Sequence, residues 1–264
     1  MHLGFVGAGN MASAIVEGAL GGRLFAPEEI CLSARHETTL APFADRGMRV
    51  TLDNREVARF ADIVVLAVKP QQLDAVLGGL TGLLTGKCVV SIAAGISKAY
   101  LRAHLGEDVF LVRAMPNTPL AVGCGATALT PAENVPAPLY EAVTALFAAA
   151  GETAVLDESL MNAVIGVSGS SPAFFFRMAD AMVATAAEEG IDPDVALRLA
   201  AKAMEGSARM LLQSGKTAEA LTRAVCSPGG TTLAALTAFD ELDFEGLIRE
   251  AMLRSARRAE ELGK

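Results

Sequence analysis

Residues 3–20 read LGFVGAGNMASAIVEGAL: four apolar residues of strand type, a glycine-rich turn, then apolar residues at helical spacing. This order commits the chain to very few folds. Gly7 permits a tight turn out of the strand, Gly9 lets the backbone approach a ligand closely, and Ala12 takes the small third position. Helix-start amide hydrogens then face whatever sits over the turn, and such an end favours an anion. The pattern alone is weak, because glycine turns are often only structural. In its strand, turn and helix context it points to the pyrophosphate of a dinucleotide, with Gly7, Ala8, Gly9, Asn10 and Met11 as the contacts.

The segments that follow keep the same alternation. ICLS, MRVT, DIVVLAV, CVVSIA, VFLVR, CGATALT and TAVL are further strand candidates, several of them apolar on both faces. Between them lie MASAIVEGAL, TTLAPFADRG, NREVARF, QQLDAVLGGL, SKAYLRAHL and PLYEAVTALFAAA, whose apolar spacing is helical. Beyond Glu158 strands disappear and helical segments follow, from ESLMNAVIGVSG to DFEGLIREAMLRSARRAEEL, with Asp192 before Pro193 as a helix cap. The predicted class is α/β: an N-terminal Rossmann-like, doubly wound, mostly parallel sheet over 1–157, then an all-α domain over 158–264.

The end of the second strand discriminates between cofactors. An NAD site usually carries Asp or Glu there, whereas CLSARHET offers Ser33, Arg35 and His36, a hydroxyl and a guanidinium suited to a 2′-phosphate. NADPH is preferred on this reading and NADH is possible, since Glu37 can serve as a displaced ribose acceptor and Arg35 as a solvated loop cation. Other strand ends add Lys69 and Pro70, the small residues Ala93, Ala94 and Gly95 that admit a flat ring, and a proline-flanked loop around Asn117.

Composition excludes several classes. A formal net charge of −8 offers no global basic field for nucleic acid. Apolar stretches such as AFFFRMADAMVATAA carry Arg177 and Asp180, short of the roughly 18 uninterrupted apolar residues of a membrane helix, and from MHLGFVGAGN no signal peptide is expected. A cytoplasmic protein without membrane contact is expected. Cys31, Cys88, Cys124 and Cys226 are scattered and far from the histidines, so no metal site is expected and the thiols read as small buried hydrophobes. The helical half carries more apolar surface than a small lone bundle hides, which favours a homo-oligomer over the alternative of a compact bundle packed on the first domain.

Taken in order and spacing, GFVGAGNMASAI, DN at 53–54, AVKPQ, AAGI, RAMPNTP, GVSGSSPAF and VCSPGGTTLAAL resemble pyrroline-5-carboxylate reductase. The resemblance spans 3–240, and its last two motifs are specific within the wider set of such dinucleotide domains. It implies reduction of 1-pyrroline-5-carboxylate to L-proline, the last step of proline biosynthesis, by hydride transfer from NADPH or NADH to a cyclic imine. It also implies that the all-α domain over 158–264 serves dimerisation and substrate binding, in an intertwined homodimer that assembles further into a ring of dimers. By position, the cofactor meets Gly7, Ala8, Gly9, Asn10, Met11, Ser33, Arg35, Asn54, Ala67, Val68, Lys69, Pro70, Ala93, Ala94, Gly95 and Asn117. Ser227, Gly229, Gly230 and Thr231 hold the substrate carboxylate, Thr232 places its hydroxyl at the ring nitrogen, and Glu158 stands near that nitrogen. Ser171 and Phe174 stand where many relatives have Gly and Tyr, and Ala224 where an amide side chain is common, which removes two polar contacts.

This chemistry asks little of the protein beyond placement. A protonated imine is already electrophilic, so a donor ring, a carboxylate clamp and stabilised positive charge suffice, with Thr232 and Glu158 as the groups at nitrogen. Thr232 is equally suited to cap a helix, and Glu158 to face a helix dipole. A short-chain dehydrogenase needs Lys four residues after Tyr, but Tyr100 and Tyr140 are followed at that spacing by His104 and Thr144. A β-hydroxyacid-dehydrogenase-like enzyme needs an early lysine in the helical half, and after Lys98 the next is Lys202. That class and a non-catalytic NADPH-binding protein are the alternatives.

Overall fold

The apolar runs form one eight-stranded sheet in the computed structural model, which describes residues 1–263. Its strands are β1 (Leu3–Val6), β2 (Ile30–Ser33), β3 (Arg49–Thr51), β4 (Ile63–Leu66), β5 (Cys88–Ser91), β6 (Phe110–Met115), β7 (Gly125–Leu129) and β8 (Gly151–Val155). They lie in the order β3-β2-β1-β4-β5-β6-β7-β8, and every neighbouring pair is parallel except β6 with β7. The central strands β1, β2, β4 and β5 are buried along their whole length, because helices cover both faces.

The covering helices are α1 (Asn10–Gly21), α2 (Glu37–Ala44), α3 (Asn54–Phe60), α4 (Leu73–Gly78), α5 (Lys98–Leu105) and α6 (Ala137–Ala148). One core joins Phe5, Ile15, Val65 and Phe147, and the other joins Val6, Val57, Leu73 and Leu101. Successive residues of β1, Phe5 and Val6, thus point into opposite cores, the period of two that defines a strand. Each fully buried side chain of this size contributes about 1.5–3 kcal/mol. Gly4 is small for a packing reason: a β-carbon there meets Val57 at 2.6 Å and Ala61 at 2.7 Å.

The chain divides into two compact units, Met1–Pro172 with the stretch from Met252 onward, and Ala173–Ala251. Most of α7 (Ser171–Glu188), all of α8 (Pro193–Gln213), α9 (Ala218–Val225) and α10 (Thr231–Glu241), and the first turns of α11 (Phe244–Leu262) belong to the second. Asp192 caps α8, its carboxylate accepting from the amides of Asp194 and Val195 with Pro193 next in the helix.

Two local expectations are corrected. The pattern of ESLMNAVIGVSG predicts one helix, whereas the segment forms a 3₁₀ turn at Glu158–Leu160 and a π-helix at Ile165–Gly169. The Asn117 side chain donates to the Ser168 carbonyl at 3.0 Å, an acceptor for which Pro172, four residues on, has no amide, while the Ser170 amide donates to the Ile165 carbonyl across five residues. The cysteines are not uniformly buried either: Cys124 is exposed, in the loop that follows left-handed Gly123.

Candidate active site

Register sets the site. Val6 is opposite Ser33 and Leu66, Leu66 is opposite Ser91, and Ser91 is opposite Arg113. The loops leaving β1, β2, β4, β5 and β6 therefore emerge along one carboxyl edge, and the strand order reverses between β1 and β4. A crevice at such a switch point is where open α/β sheets take ligands. Five separate stretches of the expected cofactor site share this edge: 7–11, 33–35, 67–70, 93–95 and the loop at 117.

The first loop fits a dinucleotide pyrophosphate. Gly7 has φ +102°, and a β-carbon there stands 2.7 Å from the Ala67 carbonyl oxygen, so the turn tolerates no side chain. Gly9 has nothing within 4 Å of an added β-carbon. It is also the N-cap of α1, with no side chain bonded to the first-turn amides, so open space and unsatisfied donors coincide.

At the end of β2, Ser33 is wholly buried and its hydroxyl donates to Asn54 Oδ1 at 2.7 Å and to the Phe5 carbonyl at 3.3 Å. Ser33 is thus engaged by the protein itself, while Arg35 is exposed. Beside Asn54, Asp53 caps α3 and pairs with Arg55, whose guanidinium and amide hold the Asp53 carboxyl below the usual carboxylate range. Ala67 and Val68 are half-buried, Lys69 is exposed, and Pro70 opens a 3₁₀ turn.

The β5 loop is the most constrained. Gly95 has φ +81°, and a β-carbon there stands 2.0 Å from the Ala259 carbonyl oxygen of α11. Three residues later α5 begins, and the Lys98 amide donates to Glu158 Oε1 at 2.6 Å. The same oxygen accepts from Arg113 at 3.1 Å. Arg113 is 6% exposed, within β6, and its guanidinium also reaches Asn162 at 3.5 Å. Buried Lys98 directs its ammonium to the Pro131 carbonyl and to Glu133. Periodicity and motif give neither Arg113 nor Lys98 a role in the site, although an arginine inside the apolar run FLVRAM demands a buried partner. Asn117 is buried, and both ends of its amide bind backbone, the Ser168 carbonyl and the Ala126 amide.

In the second unit, residues 227–230 make a type II turn. Gly230 donates to the Ser227 carbonyl at 2.9 Å, with Pro228 at the second position and Gly229 at φ +68° in the third. Gly230 is the N-cap of α10 with no side-chain cap, so Thr232 lies inside the first turn and does not cap it. The exposed hydroxyl of Thr232 makes no hydrogen bond among the described residues, and a β-carbon on Gly230 stands 2.4 Å from Ser227 Oγ. The arrangement offers free amides, a serine hydroxyl and a threonine hydroxyl within six residues, donors suited to a carboxylate and a polar nitrogen. Ser171 opens α7, Phe174 is half-buried on it, and Ala224 is exposed on α9.

The second unit exposes large apolar side chains: Phe175, Phe176 at 67%, Leu199, Leu212 at 84% and Leu247 among them. Among the described residues no cluster of His, Cys, Asp and Glu is fit to hold a metal ion, and no helix is long and apolar enough to cross a membrane.

Comparison with known proteins agrees with both halves. Residues 158–262 match the model for pyrroline-5-carboxylate reductase dimerisation, and residues 2–95 match the model described as NADP oxidoreductase, coenzyme F420-dependent. Pyrroline-5-carboxylate reductase of Methanosarcina acetivorans is 39% identical over 99% of this chain and 98% of its own. The structure of a pyrroline-5-carboxylate reductase from Coxiella burnetii is 34% identical, with a TM-score of 0.89 over 100% of this chain and 98% of that one. The Plasmodium falciparum pyrroline carboxylate reductase structure with NADP bound is 26% identical, with a TM-score of 0.91 over 100% and 98%.

Proposed function

The chain belongs to the pyrroline-5-carboxylate reductase family, and from that premise we propose that it reduces the cyclic imine of 1-pyrroline-5-carboxylate to L-proline. The observation that carries this reading is the uncapped start of α10, where free amides follow a proline-glycine turn and the Thr232 hydroxyl is unengaged. A protein that only binds a nucleotide has no use for such a carboxylate cradle. A β-hydroxyacid dehydrogenase would need its lysine early in the helical half, where this chain has none.

Reduced nicotinamide, when bound, supplies the hydride. The chain does the rest by placement. Ser227 and the amides at Gly229 and Thr231 hold the carboxylate, the Gly230 amide being spent on the Ser227 carbonyl that closes the turn rather than on substrate as the resemblance implied, and Thr232 hydrogen-bonds the ring nitrogen, which has taken its proton from solvent. The carbon of the C=N bond gains the hydride, the nitrogen keeps the proton, and the product is a secondary amine. Gly7, Ala8, Gly9, Asn10 and Met11 take the pyrophosphate, while Ala67, Val68, Lys69, Pro70, Ala93, Ala94 and Gly95 line the nicotinamide side.

NADPH is the preferred donor on this reading, because exposed Arg35 suits a 2′-phosphate at the end of β2. Asn54 meets the adenosine ribose, and Ser33 supports it from beneath. Residues 1–157 form the nucleotide domain and 158–264 the dimerisation domain. The exposed apolar side chains of α7 and α8 support a homodimer, with a ring of dimers as the larger assembly. Oxidation of L-proline in alkaline buffer with NADP is the direct test. Growth of the reduced-cofactor absorbance is expected; its absence, in protein that binds NADP, rules out the enzyme.

A further inference from the structure

We propose that Glu158 is a positioning residue for the nicotinamide end of the cofactor site, held in that role by Arg113. The inference rests on the reading that the nicotinamide lies against Ala93, Ala94 and Gly95. It replaces the expectation that Glu158 attends the substrate nitrogen.

Segment 93–98 has few bonds of its own to fix its shape. Gly95 is in the left-handed region, and its backbone lies directly against Ala259 and Gly263 at the end of α11. On the other side, Ser97 caps α5 by accepting from Tyr100. The Lys98 side chain is anchored at Pro131 and Glu133, and its backbone is held by Glu158, whose Oε1 receives the Lys98 amide at 2.6 Å, only three residues beyond Gly95. A carboxylate at a helix start is stabilised by the dipole and by the free amide. Arg113, buried in β6, binds the same oxygen and so fixes where that carboxylate stands. Glu158 therefore ties the start of α5 to the neighbouring strand, and the turn at 93–95 inherits its position. The carboxylate is committed to this cationic and amide surround, which leaves proton handling at the imine to solvent and hydrogen bonding to Thr232.

The test uses the full chain, reading NADPH affinity by titration calorimetry beside steady-state kinetics. Glu158→Ala is expected to raise the NADPH dissociation constant about tenfold and its KM in parallel, as a displaced binding loop does. Glu158→Gln is expected to recover most of that loss, because its amide oxygen still accepts from the Lys98 amide. Both variants are expected to keep the wild-type shape of the kcat pH profile. The proposal is overturned if both variants cut kcat about a hundredfold with NADPH affinity unchanged, the signature of a group acting on the imine. It is equally overturned if Glu158→Ala leaves NADPH affinity at the wild-type value. If the alanine variant does not fold, Glu158→Gln and Arg113→Lys carry the same comparison, with a few-fold weakening expected of the latter. Ala94→Leu reports separately on the underlying reading: retention of full NADPH affinity there means the ring does not lie on this turn, whatever Glu158 does.

Discussion

The hydroxyl of Ser33 donates to Oδ1 of Asn54 at 2.7 Å, joining the last residue of β2 to the first of α3. The bond fixes the acceptor end of the amide and leaves its NH₂ group as the donor toward the adenosine side. Ser33→Ala should raise the KM for NADPH a few-fold with kcat held, and lower stability by about 1 kcal/mol through the acceptor it strands. Denaturant unfolding beside initial rates checks both; an unchanged KM means that Asn54 needs no such support.

Arg35 is exposed at the same strand end. Arg35→Ala should weaken NADPH by about tenfold and leave NADH nearly unaffected, since a charge-assisted phosphate bond is worth roughly 1.5–3 kcal/mol. Parallel KM measurements with the two donors give the answer. Equal losses for both would make Arg35 a general loop residue.

Thr232 sits in the first turn of α10 with its hydroxyl unengaged. Thr232→Ala should lower kcat for the imine by about 10²-fold while NADPH affinity stays at the wild-type value, and Thr232→Ser should restore most of the rate. Wild-type turnover in the alanine variant would remove Thr232 from the mechanism.

Burial pushes the Cys31 thiol up to about 11 and the Cys88 thiol up to about 12. A raised thiol pKa keeps the neutral form, so at pH 8 only about one Cys31 in a thousand is thiolate. A thiol reagent at that pH should modify exposed Cys124 promptly, and Cys31 and Cys88 only once the sheet unfolds. Peptide mapping of the labelled protein identifies the sites.

Phe176 is 67% exposed on α7. A charge placed on such a face opposes its burial against a second copy, so Phe176→Glu should convert a dimer to monomer in sedimentation, with wild-type helical content by circular dichroism. A dimer that persists would put the interface elsewhere on the helical half.

Much of the fold could be read before any coordinates. Each of the eight strand candidates contains or overlaps a strand, because short runs of strand type bounded by turn formers and alternating with helical segments pair into a mostly parallel sheet. NREVARF is the seven-residue α3 without adjustment, since Asp53 supplies a local cap. The stretch 158–169 departs from the single helix its periodicity predicts, and part of its bonding is long-range: Asn117, 51 residues away, donates to the Ser168 carbonyl. Arg113 went unnoticed for the same reason: periodicity ranks it as an interruption, whereas its meaning lies in Glu158, 45 residues away in sequence.

By itself the sequence determined what is local: strand and helix periods, the glycine turn after β1, the proline-glycine turn before α10, and the family resemblance those motifs carry. Only the tertiary structure decided which strand ends stand level and which partner each buried charge has. Register and ion pairing are long-range, set by packing that closes loops of many tens of residues, so no window of sequence contains them. Glu158 illustrates the division: a first-turn carboxylate when read along the chain, it becomes in three dimensions the link between Arg113 and the start of α5.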